Sequence, residues 1–530
     1  MRNALVAAVL TGLVWTAAHP PLAVWWLVFL VVPGWLTAVS FVADRGMRAA
    51  FVVGLVTAVA NFLPMLWWLA APATPAAPIV LSLVLGAYLG VATIAVQPWI
   101  ERRSVALVGP LVWTGFEVLR ARWPLSGFGW GDLATAHVDG SWMLTSARVL
   151  GGDGLTLLTA LLGGLAWATL RELPRAWAAS EEAVDPALSP GAARAVRTFD
   201  AVRPLALGTI GVAALGTLIT VGPPEPVGEV DVLVVQGSDG LARSRGQTED
   251  LRIAEVHLEE TRRAIAAGGV PDLTVWAENA VDADPEGAAG AELTPLLDEA
   301  GALTEGRLLT GLTRNGPTPG TFRNQVVQIL EDGSIGASYD KIEIVPFGEY
   351  IPFRSLIGDL GPMRRVPRDA IPGTGPVTLE VAGIRVAPLI CFETLFPSLV
   401  RHAVADQDAG LLVAATNDSS FGATAESAQH VAQSRLRAVE TGRAVAHASI
   451  AGTSALVLPD GSLVALAPLF EVAHIRATLP VVSGATPAAT VAPVLSMGLG
   501  AVFIGLLVLR GWQEVTARRR RGPDDGSETA

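Results

Sequence analysis

The sequence predicts a polytopic α-helical membrane protein of about eight spans carrying one extracytoplasmic α/β domain. Three observations lead there. Hydrophobic residues make up 51% of the 530 residues and charged residues only 16%, against roughly 25% charged in an average soluble domain. Mean hydropathy over the whole chain is +0.47. Eight apolar runs approach the ~20 residues of helix that a bilayer requires, and one long intervening stretch alternates short β-rich runs with helical patterns.

The apolar runs lie near Ala4–Ala18, Leu22–Val42, Ala49–Leu69, Pro78–Val96, Ser104–Leu119, Leu150–Leu170, Pro204–Val221 and Ala488–Leu509. The first leads through Pro20 and Pro21 straight into the second, so it reads as a retained helix rather than a cleaved leader. Four regions follow: seven or so helices over 1–221, a water-facing domain over 222–484, a last span over 485–510 and a basic, disordered tail over 511–530. Residues 179–200 read as a flexible cytoplasmic loop.

Arginines set the orientation. Arg2, the pair Arg45 and Arg48, the pair Arg102 and Arg103, the group from Arg171 to Arg203, and Arg510 with Arg518–Arg521 fall in every second loop, all on one side of the spans. Basic loops stay cytoplasmic, so both termini are expected inside and the 222–484 domain outside. Arg120 and Arg122 run against this pattern.

Within that domain, Val230–Gln236, Leu273–Trp276, Arg307–Leu312, Gln325–Leu330, Ile384–Ile390 and Leu411–Ala415 read as strands bounded by turn residues. Thr248–Ala267 and Glu426–Thr441 carry helical periodicity. Strands alternating with helices indicate a layered α/β domain. A formal charge of -12 without a basic, aromatic-laced stripe argues against nucleic-acid binding.

Cys391 is the only cysteine and Lys341 the only lysine. One cysteine excludes an internal disulfide and a thiolate cage for a metal. In a chain that uses Arg almost everywhere, the surviving Lys marks a place where a compact ammonium is needed and a planar fork will not serve. Cys391 follows the apolar run Val386–Ile390 and precedes a helix-prone stretch, a placement expected to favour thiolate. Glu278 ends the run Asp272–Ala277, where partial desolvation would raise its proton affinity and suit a general base. Lys341 beside a thiol would stabilise first thiolate and then an oxyanion. The Pro-bracketed Phe347–Gly348–Glu349–Tyr350 turn can bring Glu349 to the same place.

Glu, Lys and Cys in this order resemble the triad of the nitrilase, or carbon–nitrogen hydrolase, superfamily. The run from Lys341 to Pro352 resembles the lysine segment of the bacterial apolipoprotein N-acyltransferases within it. Leu389–Phe396 is similar to their nucleophile segment and Trp276–Asn279 to their base segment. Asn417–Asp418, Phe421–Gly422, Gln429–His430, Arg435–Arg443, Glu117–Arg120 and Gly127–Trp130 add further likeness. Ser420, Gly129 and Phe392 stand where those enzymes commonly carry Trp, Pro and Tyr.

The resemblance implies an α-β-β-α sandwich and a two-step acyl transfer in the cell membrane. Cys391 would take a fatty acyl chain from a membrane phospholipid as a thioester. The N-terminal amine of a diacylglyceryl-modified apolipoprotein would then accept it. Glu278 would shuttle the proton, Lys341 would hold the oxyanion, and Glu349, Glu393 and Phe392 would support the site. Tyr350, Trp130 and Phe421 are candidate substrate contacts, and no metal or organic cofactor is implied. Phe353, Leu356, Ile357, Leu360 and Met363, interleaved with Arg354, Arg364 and Arg365, read as an arm at the bilayer surface. A membrane-tethered amidase or nitrilase shares the triad but has no use for eight spans. A non-catalytic transporter or sensor would show charges inside its spans and half-to-half symmetry, whereas these spans are nearly free of charge and show no such symmetry.

Overall fold

The computed structural model describes residues 1–179, 190–219, 221–237, 247–287, 290–358, 361–375 and 377–521. Residues 180–189 of the expected cytoplasmic loop, Leu360 of the expected arm and the tail from 522 lie outside them.

Each of the eight apolar runs forms a helix, because backbone polar groups in an apolar setting must satisfy one another locally. They are α1 (Arg2–Ala17), α2 (Val28–Ser40), α3 (Gly46–Met65), α4 (Ala76–Val96), α5 (Val105–Arg120), α6 (Ala147–Ala179), α7 (Pro190–Leu218) and, at the far end, α13 (Ala488–Arg521). Among the described residues, five helical stretches are long and apolar enough to cross a membrane: Gly46–Met65, Ala76–Trp99, Leu144–Ala178, Arg194–Leu218 and Ala488–Thr516. The helices α1 and α2 are apolar but shorter, and α5 has 16 residues.

Two expectations of disorder need correcting. Residues 190–200, read as loop, are the start of α7, with Pro190 as its first residue and Ala and Arg supplying helix propensity. The last helix runs past 510 to Arg521, carried by Gln, Glu, Ala and Arg. The charge anomaly is also accounted for. Arg120 is buried, donating to the carbonyls of Phe128 and Trp130 at 2.8 Å each, and Arg122 pairs with Asp153 at 2.7 Å.

Between α7 and α13 lies the α/β domain. Its first half holds β1 (Pro226–Gln236), α8 (Gln247–Gly268), β2 (Leu273–Trp276), α9 (Gly290–Leu303), β3 (Leu308–Asn315), β4 (Thr321–Ile329), β5 (Ile335–Asp340), the short α10 (Arg354–Ile357) and β6 (Asp369–Ala370). Its second half holds β7 (Leu379–Val381), β8 (Ile384–Ile390), α11 (Pro397–Ala405), β9 (Leu411–Thr416), α12 (Glu426–Thr441), β10 (Val445–Ser449), β11 (Ala455–Val457), β12 (Leu463–Leu466) and β13 (Ala473–Val482). One sheet runs β13-β1-β2-β3-β4-β5 with β6 beside β4, and the other runs β12-β11-β10-β9-β8-β7.

Strand alternation builds the layers. Val230, Val232 and Val234 of β1 meet Val386, Ile390, Leu411 and Val413 of the opposite sheet in one core between the sheets. The intervening Leu233 and Val235 face outward, onto Ala254 and Leu258 of α8 and Leu293 and Leu297 of α9. Ala387, Leu389, Leu412 and Ala414 face outward on the other side, toward Val400 and Val404 of α11 and Val431 and Ala438 of α12. The result is the expected α-β-β-α sandwich.

Helix α12 has apolar and polar neighbours on every side. One face covers the second sheet, and the other meets the N-terminal helical region. There Gln433 donates to Thr135 at 3.1 Å, Arg435 to Asp139 at 2.6 Å, and the Glu440 carboxylate accepts the Gly152 N–H at 2.5 Å. Phe392, Leu395, Phe396 and Leu399 also join the core formed by the N-terminal helices.

Close crossings within the helical region rest on small residues. A Cβ added to Gly115 of α5 would collide with the Phe503 side chain of α13. Gly115→Val should therefore force α5 and α13 apart and destabilise the chain by roughly 1–3 kcal/mol. Thermal unfolding in detergent measures this, and an unshifted melting temperature would refute the packing argument.

Candidate active site

The candidate residues sit where strands end. Glu278 lies just beyond β2, Lys341 follows β5, Cys391 follows β8, and Asn417 and Asp418 follow β9. Carboxyl ends of strands are the usual place for a site in an α/β sheet. Parallel pairing of β8 with β9 and of β1 with β2 aligns these ends within each sheet, and the shared core brings the two sets face to face.

Local packing aims each side chain. Trp276 is anchored outward by its indole N–H on Thr261 at 2.9 Å; β2 ends there, and Glu278 lies in the turn past Ala277. The turn passes so close to β3 that a Cβ on Gly311 would stand 2.5 Å from both the Ala277 carbonyl and the Glu278 Cα. Only glycine allows that approach. Cys391 has φ 51°, a left-handed conformation that costs a non-glycine residue of order 1–3 kcal/mol and is held only when surroundings enforce it.

Lys341 is 1% exposed, and its Nζ reaches Glu278 Oε1 at 3.1 Å and Glu349 Oε1 at 2.9 Å. Asn324 Nδ2 spans the same two oxygens, at 2.7 Å and 2.9 Å. Two carboxylate oxygens thus share two donors. The remaining Glu278 oxygen accepts the Asn417 N–H at 2.8 Å, and that of Glu349 accepts the Val345 N–H at 2.8 Å. Burial alone would strip the ammonium of its proton, but the charges of Glu278 and Glu349 outweigh it and raise Lys341 well above its ordinary value. Burial raises the Glu278 carboxyl as well, aided by Glu349 and opposed by Lys341.

The expectation of a resting thiolate is not met. Burial lifts the Cys391 thiol well above its ordinary value, the Glu278 charge adds to that, and Lys341 only partly offsets both. The helical dipole is also weaker than the sequence suggested. Cys391–Leu395 is a single 3-10 turn, and α11 starts only at Pro397.

The fully buried Glu393 ties the cysteine turn to the lysine segment. It accepts the Ile390 N–H at 2.7 Å on one oxygen, and on the other the Tyr339 hydroxyl at 2.8 Å, the Ile342 N–H at 2.7 Å and the Glu343 N–H at 3.2 Å. Burial pushes its carboxyl up to about 7 against the Ile390, Ile342 and Tyr339 donors and the Lys341 charge.

Phe392 stacks near Phe128, with centroids 6.2 Å apart, and meets Phe396 edge-on at 5.1 Å. Trp130 lies 5.2 Å from Trp68, and Trp68 lies 4.9 Å from Phe421. Both indole N–H groups donate to Gln429 Oε1, at 2.7 Å from Trp130 and 3.2 Å from Trp68. Tyr350 closes a turn through its carbonyl, which accepts the Phe347 N–H at 2.8 Å, and its side chain is half-buried. Trp130 and Phe421 therefore belong to one aromatic wall between the helical region and the sandwich. Sequence reasoning gave no role to Asn324, Trp68 or Gln429.

Among the described residues, Asp418, His430 and His447 can offer three metal-ligating atoms within 4.8 Å of one another. All three are already engaged. Asp418 accepts from Thr416, from Ser449 at 3.1 Å and from His430 at 3.2 Å, and His447 Nδ1 meets Ser434 at 2.9 Å. A cation there would have to displace the His430–Asp418 bond.

Glu393→Gln tests the tie between segments. An amide cannot accept from Ile390 while still accepting three donors on its other atom, so a buried donor is left facing a donor. The variant should lose ~1–3 kcal/mol of stability together with activity, read by thermal unfolding and acyl-transfer assay. Wild-type behaviour in both would show that Glu393 holds nothing in place.

The family model of the apolipoprotein N-acyltransferase N-terminal domain matches residues 11–165, and that of carbon-nitrogen hydrolase matches 272–485. The apolipoprotein N-acyltransferase of Allorhizobium ampelinum is 31% identical over 86% of this chain and 86% of its own length. That of Rhodopseudomonas palustris is 27% identical over 97% of this chain and 95% of its own. A carbon–nitrogen hydrolase superfamily protein from Xanthomonas campestris, solved with an arsenic adduct in its active site, is 18% identical. It covers 53% of this chain and 97% of its own at a TM-score of 0.36, and at that score it adds nothing to the assignment. On sequence likeness extending through both the helical region and the sandwich, this chain belongs to the apolipoprotein N-acyltransferases.

Proposed function

We propose that this protein N-acylates lipoproteins in the bacterial cell membrane, with Glu278, Lys341 and Cys391 as its catalytic triad. The observation that carries the triad is the buried Lys341 ammonium held 3.1 Å from Glu278, with both charges acting on the Cys391 thiol. Glu278 takes the thiol proton as Cys391 Sγ attacks an ester carbonyl of a membrane phospholipid. Lys341 balances the charge that develops on the carbonyl oxygen. Collapse returns the proton to the departing alcohol, releasing a lysophospholipid and leaving a thioester on Cys391. The amine of S-diacylglyceryl-cysteine then attacks the thioester, Glu278 takes the amine proton, and the thiol is restored as the amide forms. This is covalent, ping-pong transfer.

A lipid donor is favoured by the way the cysteine turn is built into the helical region, through Phe392, Leu395, Phe396 and Leu399. The proposed topology keeps both termini cytoplasmic, eight helices in the membrane and the 222–484 domain outside. The arm beyond Lys341 carries Phe353 at 72% and Leu356 at 82% exposure, which fits contact with lipid. Arg354 is instead engaged locally, by Asp369 at 2.7 Å, and Arg365 by the Ala73 carbonyl of the loop before α4.

Incubation with phospholipid vesicles should add one fatty acyl mass to the wild-type chain at Cys391 and none to Cys391→Ala. An acylated Cys391→Ala chain would remove the nucleophile. The rate of thioester formation should fall as pH drops through the pKa of Glu278, since the base must be ionised. Because that pKa is raised, the loss should begin above the ordinary carboxylate range. Glu278→Gln should abolish this limb, reducing the rate on the order of 100-fold or more.

A further inference from the structure

The left-handed turn at Cys391 needs something to hold it. Its main-chain carbonyl has two side-chain partners: the Thr394 hydroxyl donates to it at 3.1 Å, and His430 Nε2 lies 3.0 Å away. His430 is 1% exposed. Its other nitrogen, Nδ1, faces Asp418 Oδ1 at 3.2 Å and Glu426 Oε1 at 3.6 Å. Nε2 also lies 3.1 Å from the Thr394 hydroxyl, so imidazole, hydroxyl and carbonyl close one hydrogen-bonded triangle. With a hydrogen on Nε2 the imidazole donates to the Cys391 carbonyl.

His430 is also tied to the helical region through its neighbour. Gln429 accepts from Trp68 and Trp130, and its amide donates to the Pro20 carbonyl at 3.1 Å and the Met65 carbonyl at 3.4 Å. The Trp130 ring packs 5.8 Å from the His430 ring. One turn of α12 thus bonds to the membrane-side helices with one residue and to the backbone of the cysteine with the next.

We propose that His430 is a positioning residue for acyl transfer, holding Cys391 in its left-handed conformation through the main-chain carbonyl and aligning it with the helical region through Gln429. This role rests on Cys391 being the nucleophile. His430 exchanges no proton with substrate. It keeps the sulfur facing Glu278 and Lys341, where a misplacement of about an ångström costs on the order of 100-fold in rate.

The test compares His430→Gln with His430→Met in the full-length chain. The two side chains have similar volume, and both forgo the Nδ1 bond to Asp418. Only Gln keeps a donor at the position of Nε2, so their difference isolates the bond to the carbonyl. The readout is thioester formation at the sole cysteine, by intact-protein mass, with mixed phosphatidylethanolamine–phosphatidylglycerol vesicles as donor. His430→Met should lower the maximal rate on the order of 10- to 100-fold with the half-saturating donor concentration little changed. His430→Gln should recover most of that rate.

Equal rates for His430→Met and wild type, or equal losses in Met and Gln variants, would overturn the proposal. Should His430→Met not be recovered folded, Thr394→Val removes the other donor to the same carbonyl. A lower maximal rate at constant half-saturation then supports the role, and wild-type kinetics removes it. A wild-type chain that gains no acyl mass removes the nucleophile and with it this role. A wild type that acylates beside an equally fast His430→Met removes the role of His430 alone.

Discussion

A buried ammonium shared between two carboxylates is the constraint on which the rest of the site depends. Isolated, each of these charges would be costly in an apolar interior. Together, and with the Asn324 amide bridging the same two oxygens, they satisfy one another. Burial raises the proton affinity of Glu278, and burial together with the Glu278 charge keeps the sulfur of Cys391 protonated. The sulfur is thus held as a thiol rather than as a preformed thiolate.

The sandwich exists in the service of that arrangement. Glu278 and Lys341 come from one sheet and Cys391 from the other, so the proposed triad is assembled only when the core between the sheets has formed. Glu393 then joins the two sheets directly, bonding to the Cys391 turn on one side and to the residues after Lys341 on the other. The helical region adds a further layer beyond α12. Burial of that helix on both faces joins the cysteine turn to the N-terminal helices, which Phe392, Leu395, Phe396 and Leu399 also enter.

Much of this was legible in the sequence for a specific reason. Residues at strand ends stand out when an apolar run stops at a charged or nucleophilic side chain, as at Ala277–Glu278 and Ile390–Cys391. The solitary lysine stood out against a background of arginine. Asn324 was not legible because it lies inside a strand, where a buried amide has no local signature until its partners are known. Gln429 and Trp68 were missed because their meaning arises from contact between regions more than 350 positions apart along the chain. The thiolate expectation failed because sequence reveals a turn but not the length of the helix after it, nor the negative charge gathered around the sulfur. The start of α7 was hidden by a composition of Ala, Arg and Pro that reads equally as linker.

The solitary lysine has a further consequence at the level of protein handling. Its side chain is almost wholly enclosed, so reagents that seek primary amines meet no lysine on the folded surface. A lysine-specific protease likewise finds a single scissile bond, between residues 341 and 342, and the fold conceals it. Cleavage into two large pieces is therefore a built-in signal that the heart of the enzyme has opened.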